Sequence, residues 1–471
     1  MTGVRIAVVG GGIAGVTSAY VLRQRLPDAT IVVLEASDRL GGKLRGGDIG
    51  GITADLGAES MLNRRPEAVE LVRAVGLGDK IVHPAQTSAG IWTRGAIRPM
   101  PPTVMGIPAD ADALATSGLL SRAGVARARV ETGRGVPPTD VSVGDFVRRR
   151  LGHEVVDRLV EPLLGGVYAG HASRLSLRAA APQIAALAAD GPLLAAARAH
   201  RAETATRAAP VFAGLVGGLG QLPDVVARAS GATIRLGATV RELSPGVVPG
   251  TWQLVIGPTS APELLLADAV VLATPTAPTA RLLGPVVPAA SRALREIEYA
   301  SMAVVTLAVS VAGEDAGLLT GSGFLVPPVD GRAIKAATYS SAKWAWIGDA
   351  APPGVAMLRA SIGRAGEEQL LQRDDNELVA LAMDDLRTAT GVRGPLAAAD
   401  VQRWGGGLPQ YAVGHLDRVA AIEAAVAGVP GLAVCGAAYH GIGIAAVVAG
   451  ATAAAGALAD RLAGGIDGAG H

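Results

Sequence analysis

Val4-Arg5-Ile6-Ala7-Val8-Val9 runs directly into Gly10-Gly11-Gly12-Ile13-Ala14-Gly15, and this join decides how the chain reads. An apolar strand enters a glycine turn, and a helical pattern follows from Val16 to about Leu26. A second apolar run, Thr30 to Leu34, ends in Glu35. The order is strand, turn, helix, strand, acid. Gly10 allows the tight turn, Gly12 lets the backbone approach a pyrophosphate, and Gly15 lets the helix pack close to the strand. The helix start offers free N–H groups and the positive end of a dipole to phosphate oxygens. Glu35 falls about twenty residues beyond the glycines, where a carboxylate accepts hydrogen bonds from an adenosine ribose. A purely structural glycine turn is the alternative, and it needs none of these other parts in register.

The continuation separates a flavin from a nicotinamide. Ala36-Ser37-Asp38-Arg39-Leu40-Gly41-Gly42-Lys43 resembles the second FAD fingerprint of the flavin amine oxidase superfamily. Asp55-Leu56-Gly57-Ala58-Glu59-Ser60 resembles the next flavin-contacting turn of that superfamily. Gly41-Gly42 alone would read equally well as a hairpin turn; three segments in order do not.

Composition bounds the rest. A chain of 471 residues is long enough for two or three domains with large cores. Half of it is apolar and the net charge is +1, so bulk electrostatics point to no nucleic-acid partner. Four lysines stand against 38 arginines in an Ala- and Gly-rich chain, so arginine abundance carries no functional meaning. One cysteine, Cys435, makes no intrachain disulfide and no cysteine-based metal site, and reads as a small buried hydrophobe of a cytoplasmic protein. No metal site is expected. The first apolar run is only strand length, so it is not a targeting segment. The Ala- and Gly-rich stretch Gly441 to Leu458 reads as a helix buried against a sheet and cofactor rather than a membrane span, and membrane contact is expected to be peripheral at most.

Strand-like runs recur at Ala232–Leu236, Thr239–Leu243, Gly250–Ile256 and Ala269–Ala273, and again at Leu432–Gly436. The expected organisation is an α/β fold with a discontinuous Rossmann-like FAD-binding domain (1–85, 211–285 and 401–471). A mixed α+β substrate domain (86–109 and 286–400) and an α-helical insert (110–210) complete it. Pro137-Pro138 and Pro352-Pro353 mark loops.

Two further stretches narrow the family. Glu161-Pro162-Leu163-Leu164-Gly165-Gly166-Val167-Tyr168-Ala169-Gly170, then Arg174-Leu175-Ser176-Leu177, closely resembles a signature of the oxygen-dependent protoporphyrinogen and coproporphyrinogen oxidases. Leu408-Pro409-Gln410-Tyr411 with Gly414-His415 is similar to another segment of that family, and Cys435 to Ile444 to its C-terminal flavin segment. Ala445 departs from the pattern, which has proline there, at a place where contacts are mostly backbone. The resemblance implies one FAD per chain. Gly10, Gly11, Gly12, Ile13, Ala14 and Gly15 would hold the pyrophosphate, and Glu35 with Ala36 the ribose. Arg39, Gly42 and Lys43 would belong to the second fingerprint, with Lys43 and Gly57, Ala58, Glu59 and Ser60 along the flavin. Val240 would meet the adenine through its backbone and Trp404 would pack near the ring. Gly436, Ile442, Gly443 and Ile444 would set a helix start at the pyrimidine end.

On the substrate side, the resemblance places Arg64 and Arg65 toward a propionate, a carboxylate suited to an arginine fork, though a solvated pair at a helix start reads equally well. Tyr168 and Gly170 would form a cleft wall. Relatives carry an arginine where Ser88 falls, so another residue must grip any propionate on that side. The implied chemistry is oxidation of coproporphyrinogen III to coproporphyrin III in haem biosynthesis. Six electrons pass to O2 and hydrogen peroxide forms. Flavin N5 carries the redox step, so no catalytic side chain is assigned; His83, His153, His171, His415 and His440 read as incidental. The chain also resembles actinobacterial members of the family, which are similar to coproporphyrinogen oxidases. The insert holds 13 arginines against 8 acids over 119–210, and its run Arg148-Arg149-Arg150 reads as a solvated face; a soluble chain accords better with a four-carboxylate substrate than with an apolar product handled at a membrane. Protoporphyrinogen IX oxidation and a flavin amine oxidase are the alternatives; the latter expects a lysine beside the flavin, and only Lys335 and Lys343 lie in the substrate region. A non-enzymatic porphyrin carrier would need no flavin clamp. The expected partners are the porphyrinogen and O2, with room for transient contact with the next haem-pathway enzyme.

Overall fold

The computed structural model describes residues 3–205, 209–311, 313–315 and 317–468. Its centre is a parallel sheet built from distant parts of the chain. The elements that position the site are β1 (Arg5–Val9), α1 (Ile13–Arg25), β2 (Thr30–Leu34), β3 (Thr233–Arg235), β4 (Ala269–Leu272), β5 (Leu432–Val434) and α2 (Ile444–Gly468). The strand order is β3-β2-β1-β4-β5, every pair parallel. After the exposed Arg5, β1 is apolar from Ile6 to Val9 because both its faces are covered there. Ile6 and Val8 pack with α1 and α2. Ala7 and Val9 pack on the opposite face, against an antiparallel sheet of Val240–Pro245, Trp252–Ile256 and Glu263–Ala267 and the helices Thr276–Leu283 and His415–Ala427.

The stretch Ile444–Gly464 is long and apolar enough to cross a membrane. In the fold it is a core helix: Ala451, Ala455 and Leu458 are fully buried in the cluster that holds β1 and α1. Its alanines let it lie close to α1, which is why the stretch is rich in small residues. Cys435, at the end of β5, is buried within hydrogen-bond reach of Ser18 Oγ on α1 (3.4 Å), and burial pushes its thiol up to about 11. It packs as a hydrophobe.

A second, larger sheet stands beside the first. Its order is Leu396–Pro409, Tyr299–Ser310, Val355–Ile362, Ile334–Tyr339, Gly323–Leu325, Ala89–Thr93 and Ala96–Pro99. Only the pairing of Gly323–Leu325 with Ala89–Thr93 is parallel among its described strands. Helix Asp375–Thr390, opened by a capping box between Asp374 and Glu377, packs on one face. The strand Leu396–Pro409 belongs wholly to this sheet and runs across position 401.

The segment from 111 to 205 is helical and closes around its own apolar core. Here the arginine run behaves differently from its reading as a solvated face. Arg148 and Arg149 are exposed, but Arg150 is buried, paired with Glu131 and donating to the carbonyls of Gly135 and Gly191. It falls on the helix face of Phe146 and Val147, so the fold turns it inward and satisfies it.

Candidate functional site

All five strands of the central sheet point one way, so the loops after β1 and β5 open on the same edge, where open α/β sheets take their ligands. At the first loop Gly10 has φ +104° and donates its N–H to Leu34 O at 2.8 Å. A Cβ on Gly15 would lie 1.8 Å from the Gly10 carbonyl, so α1 can sit this close to the turn only with glycine there. A Cβ on Gly12 would meet nothing within 4 Å: the turn opens on free space. Gly12 caps α1 with no side-chain bond, and its first turn holds no acid. Ile13 is half-buried and Ala14 buried behind it.

Glu35 leans over this turn. Its Oε2 accepts the Gly11 N–H at 2.6 Å, and its Oε1 accepts the Ser37 N–H and hydroxyl, each at 2.8 Å. Ala36 beside it is exposed. The chain before Val240 runs alongside, with Gly237 N–H on Ser37 O and Ala238 N–H on Glu35 O. Val240 is thereby held near Glu35; its side chain is buried and its carbonyl accepts from Arg281. The second glycine pair packs on the first: Gly41 donates to Gly11 O, and a Cβ on Gly42 would lie 3.4 Å from Gly12 Cα. Arg39 ties that loop by donating to the carbonyls of Leu40 and Gly42.

Deeper in, three segments far apart in sequence meet. A Cβ on Gly57 would strike Lys43 O at 1.9 Å and approach Trp404 at 3.2 Å. The Trp404 indole N–H donates to Leu56 O, and Lys43 Nζ donates to Gly407 O at 2.6 Å. Lys43 keeps accessible surface although protein closes around its ammonium; that desolvation lowers it to about 8, as expected of a group lining a concavity. Ala58 and Ser60 are half-buried. Glu59 is clasped by Lys343 and by Arg359 at 2.6 Å, and Arg359 also donates to Gly57 O at 2.5 Å. Burial pushes the Glu59 carboxyl up, but the two cations more than reverse this and leave it at about 2. Behind it Asp55 accepts the N–H groups of Leu219 and Gly220, and burial raises it to about 6. Sequence reading named Lys343 only as a lysine that an amine oxidase would need, and did not single out Arg359 or the Asp55 contact with Leu219-Gly220. Three neighbours of Arg359 on its sheet face, Thr338, Ala336 and Ser361, are small and partly accessible, which makes a low stretch of wall.

The loop after β5 completes the edge. Gly436 has φ +131°, and a Cβ there or on Gly443 would meet nothing within 4 Å. Gly443 receives the Val447 N–H at the start of α2, between half-buried Ile442 and buried Ile444. Tyr411 ties this loop down: its hydroxyl donates to Ala437 O and accepts the Gly441 N–H, both at 2.7 Å. The Tyr168 ring lies 5.6 Å from that of Tyr411. Gln410 donates to Tyr168 O, and a Cβ on Gly170 would fall 2.0 Å from Gln410 Oε1. The segments around 165, 410 and 440 are therefore one connected structure.

Arg64 and Arg65 are not drawn into it. Both are exposed at the start of helix Pro66–Ala74. Arg65 pairs with Glu67 at 2.7 Å, and that hydrogen bond lowers the Glu67 carboxyl; Arg64 has no ion-pair partner among the described residues. Two of the histidines, His415 and His171, are held within the fold. His415 is buried, stacked on Tyr411 at 3.8 Å, and burial pushes it down to about 4. His171 bridges Glu161 and Ala365 O, and the Glu161 hydrogen bond raises it.

Over residues 13–462 the chain matches the family of flavin containing amine oxidoreductases. It is 41% identical over 458 residues to a coproporphyrinogen III oxidase of Mycobacterium tuberculosis, which covers 95% of this chain and 96% of that one. It is 31% identical to a coproporphyrinogen III oxidase of Bacillus subtilis, over 93% of this chain and 94% of that one. A solved structure, that of a provisionally named protoporphyrinogen oxidase of Exiguobacterium sp. 255-15, superposes with a TM-score of 0.86 at 30% identity, covering 98% of this chain and all of that one.

Proposed function

The chain belongs to the flavin containing amine oxidoreductase family, and from that premise we propose that it is an FAD-dependent coproporphyrinogen III oxidase of haem biosynthesis. One FAD binds per chain, coproporphyrinogen III is oxidised to coproporphyrin III, and O2 is the acceptor, with hydrogen peroxide formed. The observation that carries this reading is the meeting of three glycine-lined loops (10–15, 41–59 and 436–443) on one edge of the sheet. Two of them leave space that a Cβ would have filled. The identity to enzymes of that name over almost the whole chain supports the substrate class.

The residues present fit the cofactor. The uncapped start of α1 would take the pyrophosphate, Glu35 the ribose, and the Val240 backbone the adenine. Lys43, Gly57 to Ser60, Trp404 and the start of α2 at Ile442 to Ile444 would border the ring. When bound, the flavin supplies the redox chemistry. The chain holds the macrocycle over it, excludes water, and fixes the propionates. The low sheet wall at Ala336, Thr338 and Ser361 leaves room for a flat molecule, Tyr168 and Gly170 line a second side, and Arg64 and Arg65 offer cations at the rim. The strands of 1–85, 211–285 and 401–471 that build the central sheet, together with the loops at its edge, serve as the cofactor unit. The larger sheet and the helical segment serve the substrate.

An amine oxidase would place a free lysine at the flavin. Lys343 is committed to Glu59, Lys335 is buried with its Nζ on Gly363 O, and Lys43, at the border of the ring, donates to Gly407 O. The test compares purified, flavin-loaded protein on coproporphyrinogen III, protoporphyrinogen IX and a polyamine, with peroxide followed. Fastest turnover with coproporphyrinogen is expected. Preference for protoporphyrinogen would shift the substrate; activity on the polyamine alone, or protein that takes up no flavin, would overturn the proposal.

A further inference from the structure

Beneath the turn Gly57–Glu59 lies a small closed cavity, lined by Asp55, Gly214, Ser340, Trp344 and Arg359 among others. It has about 10 Å³ of room for the centre of a water molecule, close to the capacity for one. Its lining mixes apolar side chains such as Leu215 and Ile347 with polar ones, Glu59 among them, and three of the polar residues are deeply buried: Ser340 is 0%, Trp344 2% and Asp55 4% exposed. Three of its polar atoms, Ser340 Oγ, Trp344 Nε1 and Arg359 Nε, have no hydrogen-bond partner within the described residues. Buried polar atoms are rarely left so, because the desolvation of each is uncompensated.

We infer that this cavity holds one ordered water molecule that joins Trp344 and Arg359 to Asp55 and Ser340. The donor and acceptor inventory selects the occupant. The Trp344 and Arg359 nitrogens only donate, so the occupant must accept twice. Asp55 already takes one backbone N–H on each oxygen and still has lone pairs to offer, and the Ser340 hydroxyl can accept as well. An occupant that also donates can use these acceptors as well. A halide accepts only, and would face the Asp55 carboxylate. A metal cation would face two N–H donors. Water does both jobs with four partners.

The position matters for the site above. Arg359 holds Gly57 O and Glu59, and Asp55 holds the loop that opens helix Leu222–Ser230. The water links these two holdings and so braces the Gly57–Glu59 turn from below. This inference is independent of the flavin and porphyrinogen reading.

A crystal structure of the flavin-loaded protein, at a resolution that orders solvent, tests it. The expected result is one peak about 2.7–3.2 Å from Trp344 Nε1, Arg359 Nε and an Asp55 oxygen. A dry cavity overturns the inference, as does an anomalous bromide peak there after a bromide soak. A stability cycle gives an independent reading. Trp344→Phe and Ser340→Ala each remove one partner of the same water, so the double variant should lose less melting temperature than the two single losses combined. Strict additivity would overturn the shared water. Ser340→Ala keeps the crystallographic test available should Trp344→Phe not fold.

Discussion

Glu59 and Arg65 are six positions apart in the chain and live in opposite surroundings. The Glu59 side chain is 13% exposed and held by two cations from strands and helices that arrive some 280 to 300 residues later. The Arg65 side chain is 45% exposed and holds only its near neighbour Glu67. The first region is fixed before any ligand arrives. The second has charge to offer and little to lose by moving. A cofactor bed calls for preorganisation, whereas a rim that receives a carboxylate-bearing substrate needs a cation that can leave its surface partner. The contrast is measurable, because the two regions should fail in different ways when damaged.

The largest effect is expected at Glu59. Glu59→Gln leaves Lys343 and Arg359 buried without a counter-charge, and breaking a buried pair in this way costs about 3–5 kcal/mol. Denaturant unfolding should show that loss at neutral pH. The acid limb gives a second reading. The Glu59 carboxyl is depressed to about 2, so its stabilisation is present above the unfolded carboxyl pKa and is lost as the pH falls toward 2. The variant should lack that part of the acid dependence. A wild-type stability and acid limb in Glu59→Gln would show the clasp to be ornamental. Next comes Gly15→Ala. Its Cβ would fall 1.8 Å from a backbone carbonyl, so α1 must shift, at the upper end of the usual overpacking cost, about 3 kcal/mol. An unchanged midpoint would mean that the turn and α1 separate easily.

The same contrast explains what could be read from the chain alone. The adjacency of Gly10–Gly15 and Glu35 was legible because strand, turn, helix and acid lie within 35 residues, each with its own local signal. That β1, β4 and β5 share a sheet was legible from three apolar runs separated by long inserts. The partners of Glu59 were not legible. Nothing near Lys343 or Arg359 marks either as facing a carboxylate; Arg359 is placed by pairings within the larger sheet, and Lys343 by the short helix Ser340–Lys343 that follows one of its strands. Arg150 misled for a related reason: three consecutive arginines look solvated, but helical geometry turns the third onto the face of Phe146. Trp404 and Lys43 lie between these cases. Their segments carried a family resemblance, and their contacts with Gly57 and Gly407 appeared only in the fold.

Glu35 should show an intermediate effect, and on binding rather than folding. Its carboxylate is half-buried over the glycine turn, where a ribose hydroxyl would add to the bonds from Gly11 and Ser37. Glu35→Ala removes a charged hydrogen-bond acceptor worth about 1.5–3 kcal/mol, so flavin should be held about 10- to 150-fold more weakly. Unchanged flavin occupancy after exhaustive dialysis would remove Glu35 from the cofactor bed.

The smallest effect belongs to Arg65 and is the most discriminating. As an exposed group in a surface pair it contributes little to folding, so Arg65→Ala should leave the unfolding midpoint nearly unmoved. If its fork turns from Glu67 to a substrate carboxylate, the loss falls on binding common to ground and transition states. KM for coproporphyrinogen should then rise within the exposed-pair range, about 1.5- to 5-fold, with kcat held. Glu67→Gln should act in the opposite sense, because it frees the guanidinium that Glu67 now engages. Equal KM values in wild type and both variants would place Arg65 outside the cleft and leave Arg64 as the rim's remaining free cation of the pair. A fall in kcat with KM fixed would mean instead that the rim reaches the reacting atoms, and the separation between a fixed bed and a yielding rim would have to be redrawn.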